Sequence, residues 1–97
     1  MDLMDYEIKI DKQGQANFYS YGIEISPSTA NYMFPDYERT IIREYYPTFY
    51  PSYVNYEKSK LEQSFRVASK LMQIGVVNAK MTVKQFIELV NEVADVL

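Results

Sequence analysis

Residues 5–11 read "DYEIKID": Tyr6, Ile8 and Ile10 fall on one face and Glu7, Lys9 and Asp11 on the other. A period of two residues is that of a half-buried strand. "KQGQ" follows, where Gly14 can take positive φ in a tight turn. "ANFYSYGIEI" then reads as the returning strand, with Tyr19, Tyr21, Ile23 and Ile25 on one face. The pattern predicts a β-hairpin over residues 5–25. Two strands alone are marginal in water, so a helix must cover the hairpin or another chain must extend it.

The pattern then changes. "SPSTANYMFP" is loop, with room for one helical turn after a Ser28 cap. Asp36 is placed to cap a short helix over Tyr37–Tyr46, with Tyr37, Ile41, Ile42, Tyr45 and Tyr46 on one half of its wheel. Pro47 is expected to end that helix, because the residue before a proline is pushed out of the α region. From about Ser52 to Gly75 the spacing of Val54, Leu61, Phe65, Ala68 and Met72 predicts the longest helix. Val67, Leu71 and Ile74 form a second apolar row on it, expected to be buried by the last helix or by a second copy of the chain. Gly75 is the expected stop, in the left-handed C′ position.

"MTVKQF" is the sharpest local signal. Thr82 and Gln85 have the spacing of a capping box, and Met81 and Phe86 that of a hydrophobic staple. The final helix is predicted from Val83 nearly to Leu97. Val83, Phe86, Ile87, Val90, Val93, Ala94 and Leu97 lie on its apolar half, and Lys84, Glu88, Asn91, Glu92 and Asp95 centre the other. The short "GVVNAK" makes an αα-hairpin of the last two helices. Strands first and helices after predict an α+β fold: an N-terminal antiparallel hairpin or small sheet covered by a short helix, a long central helix and a C-terminal amphipathic helix. The alternative is a mostly helical chain. One domain over residues 1–97 is expected, divided into the hairpin (5–25), a Tyr/Pro-rich loop with a short helix (26–56) and the αα-hairpin (57–97).

Composition narrows the chemistry. The chain has 97 residues, no Cys and no His. The commonest general base, the commonest zinc ligand and the Ser–His and Cys–His nucleophile pairs are therefore missing. The three glycines are far apart, so there is no phosphate-binding loop, and no carboxylates stand at calcium-loop spacing. The expectation is a protein that is no enzyme, with no cofactor and no metal. No uncharged run is long enough to span a bilayer. Asp2 and Asp5 stand where a signal peptide would be basic, and the lack of Cys agrees with a cytoplasmic location.

The net charge of −3 is unevenly spread: residues 1–50 hold eight acids and four bases (−4), and residues 51–97 five acids and six bases (+1). That tilt lacks the basic face of a nucleic-acid binder. A helix-turn-helix about Gly75 is disfavoured likewise, because Glu88, Glu92 and Asp95 would repel phosphate.

The chain has ten Tyr, seven of them between Tyr32 and Tyr56, and five Phe. They are densest in "EYYPTFYPSYVNYE", Glu44 to Glu57. A core of this size has no room for so many rings, so some belong to the surface, and tyrosine is a residue that interfaces favour. Tyr45 and Val54 are expected to point inward. Tyr46, Phe49, Tyr50, Tyr53 and Tyr56 are the candidate partner-binding residues, stiffened by Pro47 and Pro51. No Lys or Arg lies inside the stretch to track phosphates.

The best reading is a small non-catalytic protein-binding module, an inhibitor or adaptor that meets another protein through a Tyr-rich surface. No motif ties the chain to a family. In type, as a short acidic domain without His or Cys and with a surplus of rings, it resembles small phage- or mobile-element-encoded proteins that bind and block a host protein. Two other readings stay open: a self-associating structural or assembly subunit, as a homodimer through Val67, Leu71 and Ile74 or the C-terminal helix, and a weak nucleic-acid binder.

Overall fold

The computed structural model describes residues 2–49, 58–77 and 80–97, with Phe49 described in its backbone only. It is an α+β fold: helices cover one face of a four-stranded antiparallel sheet of order β3-β2-β1-β4.

The alternation seen in the sequence builds the centre of the sheet. Strand β1 (Glu7–Ile10) pairs with β2 (Ala16–Ser20), Ile8 opposite Phe18 and Ile10 opposite Ala16. Ile8, Ile10 and Phe18 are buried, so this face is the core face. Asp11 closes the connection. Its Oδ1 accepts from the Gln13 and Gln15 N–H groups at 3.0 and 2.9 Å, and Gly14 takes φ +84°. These amide bonds hold the Asp11 carboxyl below its usual range.

The returning strand is shorter than its pattern implied. It breaks at Tyr21 and Gly22, which both take positive φ (52° and 80°), as in a type I′ turn. Beyond the break, β3 (Ile23–Glu24) pairs back on β2 through Ser20–Ile23 and Tyr19–Glu24. Pairing parity puts Phe18, Ser20 and Ile23 on the core side and Tyr19 and Glu24 on the outer side. The expected common face of Tyr19, Tyr21, Ile23 and Ile25 is thus divided by the turn.

Helix α1 (Pro27–Met33) starts at Ser26 rather than Ser28. The Ser26 hydroxyl accepts from the Thr29 N–H, and Pro27 occupies the first turn, where its missing N–H costs nothing. The short helix expected to end at Pro47 runs on instead. It consists of α2 (Tyr37–Thr40), a π-helical turn (Ile41–Tyr45) and α3 (Tyr46–Phe49). In the π turn the Tyr46 N–H reaches five residues back to the Ile41 carbonyl. The widened turn lets the helix carry Pro47 while Tyr46 keeps α-helical dihedrals (φ −56°, ψ −47°). Asp36 makes no side-chain cap.

Helix α4 (Lys58–Gln73) buries Leu61, Ser64, Phe65, Ala68 and Met72. The expected start near Ser52, with Val54, lies outside the described residues. Gly75 (φ +80°) is the stop: its N–H donates to the Met72 carbonyl at 3.2 Å and the Val76 N–H to Leu71 at 3.0 Å, the paired bonds of a Schellman motif. Val67 and Leu71 of the second row are half-buried against the core, but Ile74 is 58% exposed because the helix ends beside it.

Helices α4 and α5 (Val83–Val96) pack against each other, yet the segment joining them is more than a linker. Lys80–Thr82 forms β4, paired with β1 through Ile8–Met81 and Glu7–Thr82. The capping box closes in full: the Gln85 N–H donates to Thr82 Oγ1 and the Thr82 N–H to Gln85 Oε1, both at 3.1 Å. Met81 and Phe86 are buried as the staple requires, whereas Leu97 remains half-exposed at the chain end.

Rings join the layers. Tyr6 meets Phe34 (5.0 Å between centroids), Phe34 meets Phe18 (5.0 Å), Phe18 meets Tyr37 (5.5 Å), Tyr37 meets Phe65 (5.8 Å) and Phe65 meets Phe86 (4.9 Å). The series passes from the residue before β1 through the loop after α1 and β2 to α2, α4 and α5. The expected effect of Thr82→Ala, which removes one member of the capping box, is a loss of about 1 kcal/mol. Urea unfolding checks it; an unchanged midpoint would show that the box contributes nothing to stability.

Candidate partner-binding surface

Five residues were the sequence candidates for a contact surface. Tyr50, Tyr53, Tyr56 and the Phe49 side chain lie outside the described residues. Tyr46 does not belong to a contact surface: its ring is wholly buried, and its hydroxyl donates to Asn91 Oδ1 of α5 at 2.5 Å. The π turn is the physical reason. On an uninterrupted α-helix Tyr46 stands at the edge of the apolar half, and one extra residue in the turn rotates it back by about 100°, between Ile41 and Ile42 at the centre of the buried side.

Tyr45 is half-buried, and its hydroxyl donates to the Asp2 carboxylate. Burial, then that hydrogen bond and the negative charge of Asp2, push the Tyr45 phenol up to about 12. The same bond, with the Met4 N–H, draws the Asp2 carboxyl below its usual range. Tyr45 thereby ties the start of the chain, where Leu3 enters the core from a single 3₁₀ turn (Leu3–Asp5), to the helical layer.

Solvent meets other rings. Tyr21 is 95% exposed on the β2–β3 turn and Tyr32 88% exposed on α1. Ile23 and Met33 are exposed beside them in sequence. Because Phe34, at the end of α1, packs with Phe18, α1 lies on the core side of the sheet beside β2. The uncovered Ile23 faces that same side. Tyr21, Ile23, Tyr32 and Met33 are thus left uncovered by the rest of the fold. The sequence held a signal for Tyr21, since a residue before Gly in a two-residue turn has nothing to pack on. Tyr32 gave none, because α1 read as loop.

The outer sheet face is polar, with Glu7, Lys9, Asn17, Tyr19, Glu24, Lys80 and Thr82. Lys80 Nζ lies 4.9 Å from the Tyr19 ring centroid and 4.0 Å from Glu7 Oε2. Burial, then the Glu24 and Asp11 carboxylates, raise the Tyr19 phenol above its usual value. The described residues hold no group of three or more Asp or Glu arranged for a metal, and none of their helices is long and apolar enough to cross a membrane. No protein family, curated protein or solved structure matches the chain.

Two outcomes are expected. Tyr46→Ala should cost about 3–5 kcal/mol, as other buried aromatic truncations do, and Tyr46→Phe about 1 kcal/mol for the lost bond to Asn91. Urea midpoints decide; a Tyr46→Ala protein as stable as the parent would remove Tyr46 from the core. Raised in the folded state, the Tyr45 phenol contributes stability that is fully present below pH 10, its unfolded value, and is lost as pH rises towards 12. Absorbance at 295 nm should therefore show a late-titrating phenol that Tyr45→Phe removes, besides the Tyr19 and Tyr37 phenols that burial also raises. Parent and variant titrating alike below pH 11 would contradict the assignment.

Proposed function

We propose that this protein is a small non-catalytic binding module that meets another protein through tyrosine rings its core does not use. The observation that carries the reading is the exposure of Tyr21 and Tyr32 beside a core already threaded by six rings in mutual contact. Exposed tyrosine is amphipathic and loses little conformational entropy when it is held, so it suits a contact residue. The chain's lack of His and Cys supports a role by contact rather than catalysis. The reading extends to the Tyr-rich segment, with Phe49, Tyr50, Tyr53 and Tyr56 as contact rings, and to action as an inhibitor or adaptor in the cytoplasm.

The test is affinity capture from the native source with mass spectrometry, followed by titration of the purified partner. Tyr50→Ala and Tyr53→Ala should leave unfolding free energy within about 1 kcal/mol and weaken the complex by about 1–2 kcal/mol each. Large losses of stability with unchanged affinity of the folded fraction would place both rings in the core. Failure to capture any saturable partner would remove the reading.

A further inference from the structure

The outer face of the sheet carries its charges in rows. Cross-strand register sets Glu24 beside Tyr19, Tyr19 beside Glu7 and Glu7 beside Thr82, one residue from each strand. The next row on the same face is Asn17, Lys9 and Lys80. The first row is acidic and the second basic. None of these residues is buried, and the buried residues of the strands, Ile8, Ile10, Phe18 and Met81, all lie on the opposite face. Lys9 and Lys80 stand directly opposite each other. The Val83 N–H donates to the Tyr6 carbonyl, which makes Lys9–Lys80 a pair without mutual hydrogen bonds, the closer of the two antiparallel spacings. Like charges so placed oppose the pairing of their strands. Lys80 turns away to Glu7, at 4.0 Å, and to the Tyr19 ring. No ion pair joins Lys9 to a described residue. Asp11, next along the chain, has both oxygens engaged by the Gln13 and Gln15 amides and the Asn17 side chain.

We propose that this face pairs with the same face of a second copy of the chain. A two-fold axis running across the strands, between the two rows, lays the acidic row of each copy on the basic row of the other. Glu7 then meets Lys9 of the second copy, Tyr19 meets Asn17 and Thr82 meets Lys80, each contact being made twice. Packed sheets lie about 10 Å apart, within reach of such side chains. Lys9 gains the carboxylate it lacks in the single chain. A partner of one sign would match one row and be repelled by the other, whereas a second copy satisfies both. The face presents seven side chains. A standard interface uses roughly 20–30 residues a side, so the association is weak and transient. The inference goes beyond the proposed contact through exposed rings and involves neither Tyr21 nor Tyr32.

Sedimentation of the full chain from about 10 μM to about 1 mM tests the proposal. The mean mass should rise towards that of a dimer, and added salt should reduce the rise. Amide shifts that grow with concentration should centre on β1, β2 and β4. Glu7→Lys or Lys9→Glu alone should abolish the rise, because every Glu7–Lys9 contact becomes a pair of like charges. An equimolar mixture of the two variants should associate at least about tenfold more tightly than either alone, since both contacts of the mixed dimer join opposite charges. Reversing one side chain moves the net charge of −3 by two units, so both variants stay negative and net charge does not draw them together.

A mass that stays at one chain throughout the range would overturn the proposal. So would association that Lys9→Glu leaves unchanged, or a mixture no tighter than its components. Shifts centred on Val67, Leu71 and Ile74, or on α5, would overturn it by placing self-association on the helices. Lys9→Gln, a milder change, should also weaken the dimer, and parent-like association of that variant would count against the proposal even if a charge reversal unfolded the chain. Capture of another protein through the exposed rings should be unaffected by Lys9→Glu, so the two proposals fail separately.

Discussion

The run of rings from Tyr6 to Phe86 is the contact on which the rest of the molecule depends. A sheet with one buried face and a few short helices could slide over one another if only aliphatic side chains met between them. Edge-to-face rings resist sliding, because their quadrupoles favour particular angles and each pair adds about 0.5–1.5 kcal/mol beyond the area it buries. Tyr6–Phe34, Phe18–Tyr37 and Phe65–Phe86 are all near-perpendicular, at 70–79°. Phe34, in the loop after α1, touches both Tyr6 and Phe18 and so pins α1 to the sheet. Tyr37 bridges the sheet to α4.

This arrangement assigns the tyrosines to different tasks by the fate of their hydroxyls. A phenol can enter a core only where its oxygen finds a partner. Tyr46 reaches Asn91, and Tyr45 reaches Asp2 at the rim. Tyr37 lies deep enough for burial to raise its phenol above the usual value. Tyr21 and Tyr32 make none of these contacts and stand in water. The rings that stabilise the fold and the rings exposed to water are different residues, and it is on that separation that the proposed contact role rests.

The features legible in the sequence are those that depend on near neighbours. The alternation over residues 5–11 became β1, because a face of Tyr6, Ile8 and Ile10 has a single way to be buried. The capping box at Thr82 and Gln85 and the left-handed stop at Gly75 involve atoms at most six residues apart, so their spacing was enough. For the same reason the stripes of α4 and α5 could be read directly. The candidate surface was legible only in outline: rings in excess of what a core can hold implied exposed tyrosines, but could not say which.

Tertiary contacts decided the rest. Whether Lys80–Thr82 is linker or strand depends on a free edge of β1, seventy residues earlier in the chain, and three residues carry too little pattern to announce it. Pro47 looked like a helix end because its local cost is fixed. The π turn before it removes that cost, and burial of Ile41, Ile42 and Tyr46 stabilises the turn. That turn brings Tyr46, expected as a contact residue, from the edge of the apolar half to the centre of the buried side. The chain's own residues thus determined the strands, caps and stripes, through interactions that close within a few residues. Which tyrosines face water was settled by packing between segments far apart in sequence, because a ring is buried only where another layer arrives to cover it and to meet its hydroxyl.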